Sequence, residues 1–291
     1  YGYEVPEQRA QETLKRFFQG PVNMLDTSRN YAMGESEKRI GIAIKENGGW
    51  PENFVLSTKI DRNMDTLVLD KKRTRESIEE SLKTLNVDSV DVLFLHDPEY
   101  VKDVNDVTKK DGALDELFKI KEEGLAKAVG LAMGKIDIMF PMLKNWDFDV
   151  IINHNRYTLL NREADEMYSY AHSKNISIFN AAPYAGGVLA KGPDNFKKVT
   201  YQDATEEKLA PAREIEKVCK KYDVEMGAAA LQFSMKDKRI TSTLCGVTSI
   251  QSIEKNLAWA KTNIPEEFWN EVLKLPYSTK DPESERNYTP G

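Results

Sequence analysis

Short apolar runs that close on an ionisable residue recur along this chain, separated by amphipathic stretches of helical period. Three come in succession: Val22-Asn23-Met24-Leu25-Asp26, Phe54-Val55-Leu56-Ser57-Thr58-Lys59 and Val90-Asp91-Val92-Leu93-Phe94-Leu95-His96. A core strand has no packing reason to end in a charge so regularly. At the C-terminal edge of a parallel sheet or barrel, such a residue stands where chemistry is done. The alternation therefore confines the chain to an α/β fold with parallel strands.

Helices are expected over 7–19, 34–47, 74–85, 113–123, 136–144, 163–174, 249–260 and 265–275, with one long helical region over 206–235. Strands are expected over 22–26, 54–59, 90–96, 126–131, 150–153, 176–180 and 242–245. Gly20, Gly48-Gly49 and Gly124 supply helix stops. The rival to a barrel is an open doubly wound sheet. No Gly-x-Gly-x-x-Gly follows any of these strands, and so many units would make an unusually wide open sheet. We expect a (β/α)8 barrel forming a single domain over residues 1–291, with its first strand missing from the given chain. The chain opens on Tyr1-Gly2-Tyr3 without a Met, so that strand is expected upstream of Tyr1. The polar stretch from Lys191 to Thr205 is expected as a mobile flap over a cofactor.

Composition excludes several function classes. The net charge of −6 argues against nucleic acid or an anionic membrane as the main partner. No apolar run approaches the roughly 20 residues that span a bilayer. Cys219 and Cys245 lie far apart without metal-type spacing, no signal peptide is visible, and a reducing, cytoplasmic setting is expected. Gly130-Leu131-Ala132-Met133-Gly134-Lys135 lacks the spacing of a phosphate loop and reads as a strand-to-helix turn. His172 falls within a helix and reads as packing or surface.

The segment Leu25-Asp26-Thr27-Ser28-Arg29-Asn30-Tyr31-Ala32-Met33-Gly34-Glu35-Ser36-Glu37 resembles the aldo-keto reductase signature, an Asp-Thr-x-x-x-Tyr stretch followed by Gly, Ser and Glu. Ser57-Thr58-Lys59, Leu95-His96, Gly246-Val247-Thr248-Ser249 and Asn256 continue the similarity in order. The resemblance implies a barrel that transfers hydride between a nicotinamide cofactor and a carbonyl or alcohol, with Asp26, Tyr31, Lys59 and His96 as its catalytic tetrad.

The chemistry of those four residue types fits. Reducing a carbonyl by hydride builds alkoxide charge and calls for a proton; the reverse reaction calls for a base. A phenol can do both, but its ordinary pKa of about 10 is high for a base near neutrality. The Lys59 ammonium would favour the Tyr31 phenolate, Asp26 would keep that ammonium charged, and His96 would orient the reacting oxygen. Each residue has a plainer alternative: Tyr31 as a surface aromatic, Lys59 with Asp26 as an ion pair between strands, His96 as a satisfied core histidine.

Two segments are expected to hold the dinucleotide. In Ala182-Pro183-Tyr184-Ala185-Gly186-Gly187-Val188-Leu189, small residues would let backbone N–H groups reach the pyrophosphate. In Gly246 to Asn256, Thr248 and Gln251 have capping-box spacing, so a helix N-terminus is expected to face the adenosine end. Tyr184, Gly186, Gly187, Gly246, Thr248, Gln251 and Asn256 are thus cofactor-binding candidates. So is His154, where relatives place a cofactor-contacting Gln.

Four departures from the family pattern matter. Gly246, Val247 and Ser252 stand where relatives preferring NADP carry Lys-Ser and an Arg, so NAD(H) is expected over NADP(H). Ala181 replaces a Tyr that stacks on the nicotinamide, Leu131-Ala132-Met133 replaces a Ser-Asn pair that grips its carboxamide, and Ala32 replaces a Gly. The runs His96-Asp97-Pro98-Glu99 and Asn155-Arg156-Tyr157-Thr158-Leu159-Leu160 resemble the branch of NAD-dependent aldose dehydrogenases, acting on fucose-like and galactose-like sugars, and pyridoxal dehydrogenase. The expectation is an oxidoreductase, a monomer or small homo-oligomer, that oxidises an aldose to its lactone. The alternatives are a general aldehyde or carbonyl reductase, and a slow-turnover nucleotide-binding regulatory subunit.

Overall fold

A computed structural model of the chain describes residues 4–286. Its main sheet has seven parallel strands in unbroken sequence order: β1 (Met24–Asp26), β2 (Val55–Ile60), β3 (Val90–His96), β4 (Ala126–Met133), β5 (Val150–His154), β6 (Ser177–Ala181) and, last, β9 (Ser242–Leu244). Helices cover each crossover, and the sheet curls until it is nearly closed into a barrel. The sheet's two edges are β1 and β9, and the expected opening strand is not among the described residues.

Period-two alternation splits each strand between two cores. Leu56, Ile60, Leu93, Leu95, Val129, Leu131, Ile151 and Ile178 face outward into a large apolar layer shared with the helices. Val92, Phe94, Ala132, Val150, Ile152 and Phe179 face inward and pack together in the lumen, with Met24, Val55, Ala181 and Leu244 beside them. Register carries the inward set up to one level: Asp26 pairs with Ser57, His96 with Ala132, His154 with Ala181, and Ala181 with Leu244.

All seven expected strands form, and their ends shift by two residues or fewer. The long helical region does not. It divides into Glu206–Lys221 and Met226–Met235, because Asp223 turns left-handed at φ 53° and breaks the ladder. The stretch expected as a flap carries structure of its own, an antiparallel ribbon of β7 (Lys198–Val199) and β8 (Gln202–Asp203). Its turn residues Thr200 and Tyr201 both have positive φ, the requirement of a tight hairpin turn. The ribbon is tied down: Thr200 N–H donates to Ala185 O at 3.0 Å, and Thr200 Oγ1 donates to Pro282 O at 3.1 Å.

Candidate active site

Alternation brings the first three strand ends together. Asp26, Lys59 and His96 are all inward positions of adjacent strands. The Lys59 side chain is 1% exposed, and its ammonium donates to Asp26 Oδ2 and to Thr27 O, each at 2.6 Å. Asp26 Oδ1 accepts from the Ser57 hydroxyl at 2.5 Å. The carboxylate and the carbonyl give the buried ammonium two acceptors, which offsets part of its loss of hydration.

Tyr31 comes from the loop after β1. It opens a short 3-10 turn, Tyr31–Gly34, in which Ala32 and Met33 both sit in the left-handed region at φ 52° and 54°. Left-handed backbone at non-glycine residues costs of order 1 kcal/mol or more each. That strain lies directly beside the tyrosine, and Ala32 is where the sequence departs from the usual Gly. The Tyr31 ring is 40% exposed at the barrel mouth. The Lys59 ammonium is 4.6 Å from its centroid, and the His96 ring meets it edge-on at 5.8 Å. The structure thus brings all four tetrad candidates into one cluster.

Asp61 belongs to this cluster and was not foreseen. Its carboxylate lies 2.5 Å from His96 Nδ1 and accepts from the Ser28 hydroxyl. The signal was available: Asp61 follows Lys59 by two residues, so strand alternation points both the same way. Burial opposes ionisation of Asp61, but the His96 charge and the hydrogen bonds from His96, Ser28 and Asn30 outweigh it and hold its pKa below the usual carboxylate range. Burial likewise opposes the His96 cation, while Asp97 and Asp61 outweigh it and raise the imidazole pKa.

Three of the four remaining strands present apolar side chains at the mouth, and β5, between β4 and β6, presents His154. Ala132, Ala181 and Leu244 carry the inward positions of β4, β6 and β9. These apolar side chains offer a flat, uncharged ring a surface beside the charged cluster of Asp26, Lys59, Asp61 and His96. Neither Ala132 nor Ala181 supplies a polar or aromatic side chain for such a ring, in keeping with the departures seen in the sequence.

His154 ends β5 on the inward face, but its Nε2 lies 3.1 Å from Glu283 Oε2. Glu283 also accepts from Arg156 Nη1 at 3.0 Å. Burial would raise its pKa, yet His154 and Arg156 bring it down to about 2. The segment 278–286 thus folds back beside the mouth, with Arg156 bonded to both Asp281 and Glu283. The candidate contact at His154 is therefore shared with a carboxylate that sequence spacing did not connect to it.

The glycine turn packs closely against the chain itself. The Cα of Gly186 (φ 76°) faces the ribbon, and an added Cβ would stand 2.6 Å from Tyr201 N. An added Cβ at Gly187 would stand 3.1 Å from the Phe196 ring. The N–H groups of Ala185 and Gly187 donate within the turn, to Ala182 O and Tyr184 O. The room these glycines leave is filled by the chain itself, so the turn does not offer those two amides to a pyrophosphate. Tyr184 and Asn256 are joined: the Tyr184 hydroxyl donates to Asn256 Oδ1 at 2.5 Å, and its ring meets Trp259 edge-on. Burial holds the Tyr184 phenol far above its ordinary pKa, so it remains neutral.

The helix cap is a correction. Thr248 and Gln251 do not form the capping box. The helix Ile250–Lys261 is capped by Ser249, whose hydroxyl accepts from Ser252 N, while Ser252 Oγ accepts from Ser249 N–H. Ser252 has a hydroxyl short enough to reciprocate at the third helical position. Thr248 instead donates its N–H to Ser252 Oγ at 3.2 Å. Gly246, Val247 and Gln251 are exposed around this helix start, and the cap lies one residue later than expected.

Residues 2–275 match the sequence model of the Aldo/keto reductase family. The chain is 30% identical over 266 residues to L-galactose dehydrogenase of Arabidopsis thaliana, covering 87% of this chain and 78% of that protein. It is 24% identical to pyridoxal 4-dehydrogenase of Microbacterium luteolum (89% and 86% covered). It is 28% identical to D-threo-aldose 1-dehydrogenase of a Pseudomonas species (92% and 88% covered). In structure it is similar to the holo form of an aldo-keto reductase of Bacillus halodurans, with a TM-score of 0.78 and 19% identity, covering 97% of this chain and 92% of that one.

Proposed function

The chain belongs to the aldo/keto reductase family of oxidoreductases, and from that premise we propose that it oxidises an aldose at its anomeric carbon to the lactone, with NAD as acceptor. The observation that carries the reading is the cluster at the mouth: an exposed phenol over a buried, carboxylate-held ammonium, with a histidine at its edge. No helix among the described residues is long and apolar enough to cross a membrane.

In this reading Tyr31 takes the proton of the anomeric hydroxyl at its phenolate oxygen. The Lys59 ammonium lowers the cost of that phenolate, and Asp26 keeps Lys59 charged and fixed. His96 donates to the same substrate oxygen and orients it. The nicotinamide, when bound, supplies the hydride acceptor. Ala132, Ala181 and Leu244 would border its ring, and the loop Gly246–Ser249 with the following helix start would hold its adenosine end.

Preference for NAD is supported by the same helix start. Gly246 and Val247 carry no charge, and the Ser252 hydroxyl is committed to the cap. A doubly charged 2′-phosphate would find no cation at these three positions. The sugar class is supported by similarity to L-galactose dehydrogenase and D-threo-aldose 1-dehydrogenase.

A spectrophotometric screen of NAD and NADP reduction across pentoses, hexoses and pyridoxal tests the reading. Turnover of an aldose with NAD, giving lactone, is expected. Turnover of pyridoxal alone, or of simple aldehydes with NADPH alone, would overturn the sugar assignment. Nucleotide binding without turnover on any of them would favour a regulatory subunit.

A further inference from the structure

A buried carboxylate stands behind the histidine, and the chemistry just described does not use it. Asp61 lies two residues past Lys59, and its side chain is 1% exposed. Its Oδ1 is 2.5 Å from His96 Nδ1. Its Oδ2 accepts from the Ser28 hydroxyl at 2.5 Å and from Asn30 N–H at 3.0 Å. Three donors converge on one buried carboxylate, an arrangement that favours its ionised form. An ionised acceptor at that distance requires the proton on Nδ1. The other ring nitrogen, Nε2, is 3.8 Å from Asp97 Oδ1, beyond hydrogen-bond reach.

We propose that Asp61 is a positioning residue that holds His96 as a doubly protonated imidazolium, keeps its Nε2–H available to the reacting oxygen, and anchors the Ser28–Asn30 loop that delivers Tyr31. The acceptor of that Nε2–H rests on the reading of His96 above; the protonation state does not.

The groups around the imidazole support the charge. Asp61 faces it from beyond β2, Asp97 from the next position in the chain, Lys59 from β2 and the Tyr31 ring from the 3-10 turn. The neighbouring strand β4 presents Ala132 at the register of His96 and adds no charge. Two carboxylates against one ammonium leave the balance in favour of the cation. The site then has two positive groups, Lys59 beside the Tyr31 ring and His96 at its edge, and His96 presents its Nε2–H to an oxygen that gains negative charge during reaction. That is an oxyanion-stabilising arrangement in which the backing carboxylate holds the donor's charge and ring orientation.

The protonation state is directly measurable. The chain has three histidines, so 15N-histidine labelling gives a simple spectrum, assigned with His154→Gln and His172→Gln. His96 is expected to show both nitrogens protonated at about pH 7.5, and its titration midpoint should fall by at least about one unit in Asp61→Asn, since one unit corresponds to a single substantial charge interaction. A neutral His96 in the wild-type protein at about pH 7 would overturn the proposal. So would an unchanged midpoint in a folded Asp61→Asn protein. The wild-type spectrum decides the matter even where the variant fails to fold. With any substrate that turns over, the alkaline limb of kcat should move to lower pH in Asp61→Asn, and an unmoved limb counts against the proposal. The spectra need no substrate, so a failed sugar screen leaves this inference standing.

Discussion

The Lys59 ammonium and the Asp26 carboxylate are 2.6 Å apart but unequally exposed, at 1% and 15% of their side chains. Removing either partner therefore has unequal consequences. Asp26→Asn leaves a buried cation with the Thr27 carbonyl but no carboxylate, and breaking a buried pair this way costs about 3–5 kcal/mol. Lys59→Met leaves a carboxylate that reaches solvent and retains the Ser57 hydroxyl, so its cost should be nearer 1–2 kcal/mol. The double variant should regain most of the Asp26→Asn loss. Urea unfolding of the three variants measures this, and equal losses in the two single variants would contradict it.

Tyr31→Phe removes one hydroxyl from an exposed ring. The unfolding midpoint and the cofactor affinity should stay near wild type. The expected change is in kcat, by about 10²–10⁴-fold, the usual worth of general acid–base work. A variant keeping more than about a tenth of the rate would remove Tyr31 from the role proposed for it.

Lys59→Met should also move the pH profile of any residual oxidation. Without the ammonium the phenolate is less favoured, so activity should appear only at higher pH. The acidic limb of kcat against pH is the readout. A limb that stays in place would mean the two side chains do not communicate.

Gly186→Ala tests whether the glycine turn serves the chain's own packing. The residue has φ 76°, and the new Cβ would meet Tyr201 N at 2.6 Å. Left-handed strain alone costs of order 1 kcal/mol. The ribbon over 198–203 must also move, so limited proteolysis should cut it faster. Proteolysis at the wild-type rate would indicate that the ribbon does not depend on this contact.

Glu163 gives a pH-dependent stability. Burial raises its carboxyl to about 7, although Arg156 at 3.5 Å opposes the shift. A carboxyl whose folded pKa is raised contributes stability below its unfolded value, near 4.3, and loses it as pH rises through about 7. The wild-type Tm should fall across that window by more than the Tm of Glu163→Gln, which cannot ionise. Parallel curves for the two proteins would show that Glu163 titrates normally.

Much of the site was legible because strand chemistry is local. Asp26, Lys59 and His96 each end an apolar run, and a run's period and length are visible in its own residues. Asp61 lies past the end of its apolar run, so the run does not mark it although the period-two face extends to it. The cap was misplaced for a related reason. Thr248 with Gln251 and Ser249 with Ser252 have the same spacing, and only the path of the backbone selects one pair. The break at Asp223 inside the helical region was likewise hidden, because the apolar pattern continues on either side of it.

Sequence alone determined the parallel α/β alternation, the seven strands and the three charged strand ends, since periodicity and burial preference reside in neighbouring residues. Tertiary structure alone decided what met what. It brought Asp61 behind His96, Glu283 onto His154 across 129 positions, and the 198–203 ribbon against Gly186. Those contacts depend on how a nearly closed barrel folds its loops and its C-terminal segment over one edge, and no local spacing encodes that distance.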